Sequence, residues 1–343
     1  MESLNKVYIE RGFTMTTFRA LVVNKGDSTF SVSVEELHLN ELPVGEILIR
    51  VSYSSINYKD GLACNPNGRI VKNYPFVPGI DLAGIVVDST DTRFNEGDPV
   101  LVTGYDLGVS HFGGFSEFAR VPADWVVPLP NNLTLREAMI IGTAGFTAAL
   151  SVQSLEEHNI TPVQGPILVT GATGGVGSTA VAILAKRGFD VVASTGKESE
   201  YGYLRELGAK EILSREDVSP EKIKPIDKQR WAGVIDPVGG NILAYALSTT
   251  QYGGTIAVSG LTGGANLSTT VFPFILRGVN LIGIDSVYCS MNKRRKIWNR
   301  LSSDFKPEQL SSMVYGEIKL DEIEETAKKI QEGKIRGRVL VKL

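Results

Sequence analysis

The run Val169-Thr170-Gly171-Ala172-Thr173-Gly174-Gly175-Val176-Gly177-Ser178 has residue types and spacing suited to holding a phosphate. It follows the β-prone segment PILVTG and opens the helical segment GGVGSTAVAILAKRG. In that setting glycines let a pyrophosphate approach backbone N–H groups and the positive end of a helix dipole. Against the template G-x-G-x-x-G, Ala172 takes the first glycine position, and Gly174 and Gly177 take the others. A plain tight turn has a similar composition, but the strand–helix units that follow favour a dinucleotide. No Gly-Lys-Ser/Thr follows the loop, which excludes a P-loop. The candidate contacts here are Thr173, Gly174, Gly175, Val176 and Gly177.

The second chemical signal lies about 20 residues on, where NAD-binding loops place a carboxylate on the ribose 2′-hydroxyl. The strand DVVAST instead ends in Ser194-Thr195-Gly196-Lys197. A 2′-phosphate suits this end better, with Thr195 as donor, Lys197 giving charge and Gly196 between them as a further contact. Arg215, after the next strand, is placed to reach the same phosphate. The expected cofactor is therefore NADPH. The competing reading makes Lys197 a solvated residue and lets Glu198 reach the ribose.

The third signal is Asn57-Tyr58-Lys59-Asp60, on a short helix between β-runs. Three roles are open to the Tyr58 phenol besides simple packing: hydrogen-bonding a substrate carbonyl, supplying a proton, or touching the nicotinamide ribose. Asn57 has two, orienting the same carbonyl or capping the helix. Lys59 and Asp60 read as a local ion pair. His111 reads as an exposed loop histidine, and Cys64 lacks a partner base. Lys293-Arg294-Arg295-Lys296 reads as a solvated helix face rather than a coenzyme A phosphate site. Tyr315 and Lys319 have the Tyr-x-x-x-Lys spacing of short-chain dehydrogenases. SMVYGEIKL reads as a strand, however, which would not align the two on one face.

These residues need two kinds of scaffold. The first third of the chain is a series of short β-prone runs punctuated by Gly, Pro, Asn and Asp, as in a barrel-like β-domain. After Thr134, with Glu137 completing a capping box, a helix begins. Strand–helix alternation then predicts a parallel sheet with helices on its faces. The expected organisation is a tail at 1–15, a β-rich catalytic domain at 16–140, a dinucleotide-binding domain at 141–288, and a return at 289–343 that completes the first domain. With 343 residues, a net charge of −3 and 43% hydrophobic residues, the chain fits a globular protein of about two domains. The charge argues against phosphate-neutralising nucleic-acid binding. Two cysteines, Cys64 and Cys289, are too few for a disulfide framework or a cysteine zinc site. No uninterrupted apolar run reaches bilayer-spanning length, and the N-terminal residues carry Glu2, Lys6, Glu10 and Arg11 without an apolar core. A cytoplasmic protein is expected.

The whole chain beyond its first residues resembles the medium-chain dehydrogenase/reductase superfamily, in its zinc-independent quinone oxidoreductase branch of the YhdH/YhfP, acryloyl-CoA reductase-like type. The residues carrying this are SSINYKDGLA (54–63), PGIDLAG (78–84), GGFSEFARVPADWVVPLP (113–130), TGATGGVGS (170–178), YLRELGAKEIL (203–213), TVFPFILRGVNLIGIDS (270–286) and GRVLVKL (337–343). The resemblance implies an α/β fold, a doubly wound Rossmann sheet plus a GroES-like β-rich catalytic domain. It implies catalytic roles for Tyr58 and Asn57, and cofactor contacts from Tyr58, Leu261, Ile275 and Ser286. It implies NADPH-dependent reduction of a quinone, an enone or an acryloyl-CoA-like thioester, and a homodimer. Where the zinc-dependent relatives have Gly-His-Glu, this chain has Gly79-Ile80-Asp81, so no metal is expected. The competing class is a non-catalytic NADPH-binding redox sensor or structural protein on the same scaffold.

Overall fold

The computed structural model describes residues 17–343, so the expected tail lies outside the described residues. The chain divides into two units. The first holds the described residues up to Gly142, with Gly316–Lys334 and Val339–Leu343. Its strands are β1 (Thr17–Lys25), β2 (Phe30–His38), β3 (Ile47–Ile56), β4 (Asp81–Ser89), β5 (Pro99–Thr103), β6 (Phe118–Val121) and β7 (Val127–Pro128). The short helix α1 (Tyr58–Ala63) follows β3. β1 and β2 pair antiparallel as a ribbon, while β3, β4, β5 and β7 run in order through an antiparallel sheet, with β6 also on β3. The unbroken apolar run at the start of β3 is explained by cover on both faces. Ile47, Ile49 and Val51 pack with Leu82, Val86, Val100 and Val102, and Leu48 turns the other way onto Phe18, Ala20 and Val22.

The next helix, α2 (Leu135–Glu157), starts at the expected box: the Thr134 N–H donates to Glu137 at 2.9 Å and the Glu137 N–H to Thr134 Oγ1 at 3.1 Å. It is broken at Gly142, whose φ of 51° is left-handed, and the division between the units falls there. α2 has the length and apolarity of a membrane span, yet its most apolar stretch is almost wholly buried in the protein.

In the second unit β8 (Ile167–Val169), α3 (Gly175–Lys186), β9 (Val191–Thr195), α4 (Tyr201–Glu206), β10 (Glu211–Ser214), β11 (Trp231–Asp236), α5 (Gly240–Thr249), β12 (Thr250–Val258), α6 (Phe272–Arg277) and β13 (Asn280–Gly283) succeed one another. The sheet is parallel throughout, in the order β10-β9-β8-β11-β12-β13. This is a doubly wound Rossmann sheet, as expected. Leu168, Val192, Val234 and Ile256 pack with Ile242, Leu243 and Leu247 of α5. The order reverses between β8 and β11, and such a switch point opens a crevice at the carboxyl ends of the strands.

The return differs from expectation. It rejoins the first unit at Gly316 rather than at 289. The helix α7 (Met291–Leu301) stays with the second unit because Trp298 stacks on Phe146 at 6.1 Å and Arg300 pairs with Glu156 at 2.7 Å. Then come β14 (Val314–Ile318), α8 (Ile323–Gln331) and β15 (Arg338–Lys342), with β15 on β3. Tyr315 lies on strand β14, so the short-chain dehydrogenase pattern is not built. Residues Ile335–Arg338, just before most of β15, belong to the second unit as a strap.

Candidate functional site

The glycine run turns from β8 into α3. Gly171 has a φ of 53°, and its carbonyl accepts the Gly174 N–H at 2.9 Å. Gly174 is the N-cap of α3. The N–H groups of Gly175, Val176 and Gly177 therefore fall in the first helical turn, where no earlier carbonyl can take them. Gly177 is obligatory: a Cβ there would lie 2.4 Å from the Gly171 oxygen and 2.7 Å from Ala172 Cα. Ala172, at the first template position, has no positive φ and its side chain is fully buried. The loop is tied to β9 by the Ala172 N–H on Ser194 O at 2.9 Å. A turn of this kind at a helix N-terminus can hold a pyrophosphate.

The expected 2′-phosphate residues come together at the end of β9. Thr173 Oγ1 and Thr195 Oγ1 are 3.1 Å apart, and Thr195 Oγ1 accepts the Lys197 N–H at 3.1 Å. The Arg215 guanidinium lies against Gly196, its atoms 3.0–3.1 Å from where a Cβ at 196 would sit. Among the described residues Arg215 makes no ion pair. Lys197 is half-buried and donates from Nζ to Ile335 O at 2.7 Å. Burial holds its ammonium below the usual lysine range, and Arg215 adds to that, against the pull of Glu200. Glu198 is exposed.

At the carboxyl ends of β12 and β13 lies a hollow of ≈ 450 Å³, walled by Ser259, Leu261, Ile284 and Asp285 among others. Asp285 Oδ1 accepts the N–H groups of Val287 and Tyr288 at 2.8 and 3.0 Å, fixing the turn that carries Ser286. Leu261 and Ser286 are thus at or beside one concavity. Ile275 is on α6 and 68% exposed, on an apolar face with Val271, Phe272 and Leu276. Arg277 is structural, donating to the carbonyls of Ser248, Thr250 and Asp227.

In the first unit Tyr58 is the first residue of α1 and 43% exposed, and its hydroxyl has no partner among the described residues. Beneath it the polar groups turn inward. Asn57 Nδ2 donates to Asp81 Oδ2 at 2.8 Å and to Asp60 Oδ2 at 3.3 Å. Asp60 accepts the N–H groups of Asn57 and Ile80 at 2.8 and 2.9 Å. It is buried, and so faces away from the Lys59 pairing expected of it. Burial, with the Asp81 carboxylate beside it, pushes the Asp60 carboxyl up to about 7. The unfolded chain releases this proton near pH 4. Between about 4 and about 7 the folded state holds more protons, so Asp60's contribution to stability falls as pH rises across that window. Urea unfolding of wild type and Asp60→Asn over that range is expected to show the decline in wild type alone. Parallel pH profiles would contradict it.

Three features escaped the sequence reading. Asp236, at the end of β11, accepts Thr170 Oγ1 and the Gly239 N–H, locking the two strands that flank the switch point. The strap 335–338 closes on the loop: Gly337 N–H donates to Thr173 O at 2.8 Å, and Arg336 pairs with Glu200 at 3.2 Å. Arg294 is fully buried, not solvated, because it lies over the Phe146 ring and donates to Ser286 O and Val287 O at 3.0 Å.

Comparison with known proteins gives two family matches, the alcohol dehydrogenase GroES-like domain at residues 43–131 and the zinc-binding dehydrogenase family at 175–303. YhfP of Bacillus subtilis, which carries the name of a quinone oxidoreductase, is 56% identical over 96% of this chain and 99% of its own length. Its structure with NAD bound superposes with a TM-score of 0.94, over 96% of this chain and 100% of that one. Acrylyl-CoA reductase AcuI of Ruegeria pomeroyi is 47% identical over 94% of this chain and 98% of its own. The YhdH oxidoreductase from Salmonella enterica in complex with NADP is 47% identical, with a TM-score of 0.92, covering 95% of this chain and 99% of that one. Zinc, present in one family's description, does not fit the residues here. It needs three or four N, S or O ligands, and among the described residues no group of three or more His, Cys, Asp or Glu is gathered to hold an ion.

Proposed function

Because the chain belongs to the medium-chain dehydrogenase/reductase family, we propose that it is an NADPH-dependent oxidoreductase that reduces an activated C=C bond, in an enone or acryloyl-CoA-like thioester, or a quinone, without a metal. The observation that carries the cofactor reading is the end of β9, where Lys197 and Arg215, which makes no ion pair among the described residues, stand in place of a ribose-binding carboxylate. The reading of the acceptor rests on the names of the relatives and on the missing zinc ligands. Without a Lewis acid, an acceptor that is already polarised is favoured.

The cofactor supplies the hydride. The chain's own residues do the rest. Thr173, Gly174, Gly175, Val176 and Gly177 hold the pyrophosphate, and Thr195, Gly196, Lys197 and Arg215 hold the 2′-phosphate. Leu261 and Ser286 border the nicotinamide, with Ile275 as a further contact. The Tyr58 hydroxyl donates a hydrogen bond to the acceptor's carbonyl oxygen, stabilises the charge that develops there, and is the proton source for the enolate or quinone oxygen. Asn57, its amide turned to Asp81 and Asp60, supports this turn rather than binding the carbonyl. The test is NADPH oxidation in the presence of acryloyl-CoA, a simple enone and a simple quinone. Turnover of at least one is expected, and no turnover of any would refute the reading.

We further propose a homodimer working in the cytoplasm, with no nucleic-acid or membrane partner. Among the described residues β13 ends its sheet, so its outer edge has no strand partner there. Near it in sequence, Val271, Phe272, Leu276 and Tyr288 are all more than 40% exposed. Pairing two such edges about a two-fold axis satisfies the edge and covers apolar surface. Light scattering is expected to give the mass of two chains. The mass of one, unchanged with concentration, would contradict it. Both cysteines are free and buried, in keeping with a reducing compartment.

A further inference from the structure

The buried polar knot under Tyr58 has a feature that packing alone does not require. Asp81 is the first residue of β4 and wholly buried. Its Oδ2 accepts Ser55 Oγ at 2.6 Å and Asn57 Nδ2 at 2.8 Å, while its backbone carbonyl accepts Ser54 Oγ at 2.6 Å. Three segments therefore converge on one residue: the end of β3, the start of α1 and the start of β4. Asp60, within α1, holds the helix start and the residue before β4 from the other side, accepting the Asn57 N–H and the Ile80 N–H. If cohesion were the whole purpose, apolar side chains of similar volume would serve as well or better than two buried carboxylates. What carboxylates add is direction, because each bond fixes a donor in a set orientation.

The element so directed is α1. It has six residues, too few to hold a helical turn in place unaided. Its first residue is Tyr58, whose phenol is exposed and unpartnered among the described residues, and its N-cap is Asn57. The Asn57 side chain is held from the Asp81 side, so the orientation of the first turn, and with it the direction of the phenol, depends on the Asp81 carboxylate.

We propose that Asp81 is a positioning residue for the reaction, acting through Asn57 to aim the Tyr58 hydroxyl. The proposal rests on the reading of Tyr58 as the hydrogen-bond and proton donor. It assigns Asp81 no contact with substrate or cofactor.

The experiment is a cycle of Asp81→Asn and Tyr58→Phe, alone and combined, with steady-state kinetics on the best acceptor, NADPH titration and a thermal melt of each variant. Asp81→Asn keeps the shape and an accepting oxygen, but removes the charge that strengthens both bonds to it. It is expected to lower kcat by about tenfold, with acceptor KM and NADPH affinity within about twofold of wild type. In the Tyr58→Phe background the same change is expected to leave kcat unmoved, because there is no hydroxyl left to aim. A merely structural role would lower kcat equally in both backgrounds. That result, or a wild-type kcat in folded Asp81→Asn, overturns the proposal while leaving Tyr58 in place. If Tyr58→Phe is itself silent, the Tyr58 reading fails and the proposal falls with it. Should Asp81→Asn not fold, Ser55→Ala removes one donor from the same oxygen. It is expected to lower kcat several-fold only where Tyr58 is present, and an unchanged kcat overturns the proposal equally.

Discussion

Tyr58→Phe is expected to lower kcat by at least about 10²-fold, or about 2.7 kcal/mol of barrier, within the range for a general acid–base group. The reasoning starts from the hydroxyl, which is exposed at the first position of α1 and has no partner among the described residues. Removing it leaves the ring, so packing at the site is conserved. NADPH affinity is expected to change little. Steady-state kinetics beside a cofactor titration separates the alternatives. If affinity weakens and kcat falls only slightly, Tyr58 anchors the ribose. If neither moves, Tyr58 leaves the site, and the proton comes from water or a ribose hydroxyl.

The second large effect concerns the 2′-phosphate. Wild type is expected to bind NADPH at least about tenfold tighter than NADH, a difference of about 1.4 kcal/mol. Removing both charges in Lys197→Ala/Arg215→Ala is expected to weaken NADPH about 10²-fold, since each charge-assisted bond contributes about 1.5–3 kcal/mol and part of Lys197's charge is engaged by the strap. NADH is expected to stay within about threefold, because it carries no group there. Cofactor fluorescence titration of all four combinations is the measurement. A relative crystallised with NAD makes the ratio of affinities, not the binding of either cofactor alone, the decisive quantity. Equal affinities in wild type would remove the assignment.

Local patterns made most of the architecture legible. The alternation of strand and helix after Thr134 anticipated the parallel sheet, and the glycine run anticipated the tight turn from β8 into α3. The missing carboxylate after DVVAST pointed to Lys197 and Arg215, which the fold brings together. What escaped was carried by bonds between distant segments. Lys197 meets Ile335 across 138 positions, and Asn57 meets Asp81 across 24, and no spacing rule announces either. Arg294 was misread because a run of four basic residues suggests a solvated face. Its burial depends on an aromatic ring far earlier in the chain and on two carbonyls at a loop. The boundary of the return was misplaced for the same reason, since α7 is held to the second unit by Phe146 and Glu156 rather than by anything beside it in sequence. Asn57 shows the limit of residue type: an amide beside a helix start fits a cap and a carbonyl ligand equally, and only the direction of its bonds separates them.

The central claim is direct hydride transfer from NADPH to the acceptor, and isotope transfer tests it most directly. NADPH carrying deuterium at the transferring position of the nicotinamide would be incubated with the protein and acryloyl-CoA, and the acyl product analysed by mass spectrometry and NMR. The account predicts one deuterium at the β-carbon, with the α-carbon hydrogen drawn from solvent, or equivalent cofactor oxidation with a quinone if the thioester is inert. Cofactor left unoxidised with every acceptor, or acyl product formed without deuterium at the β-carbon, would contradict it.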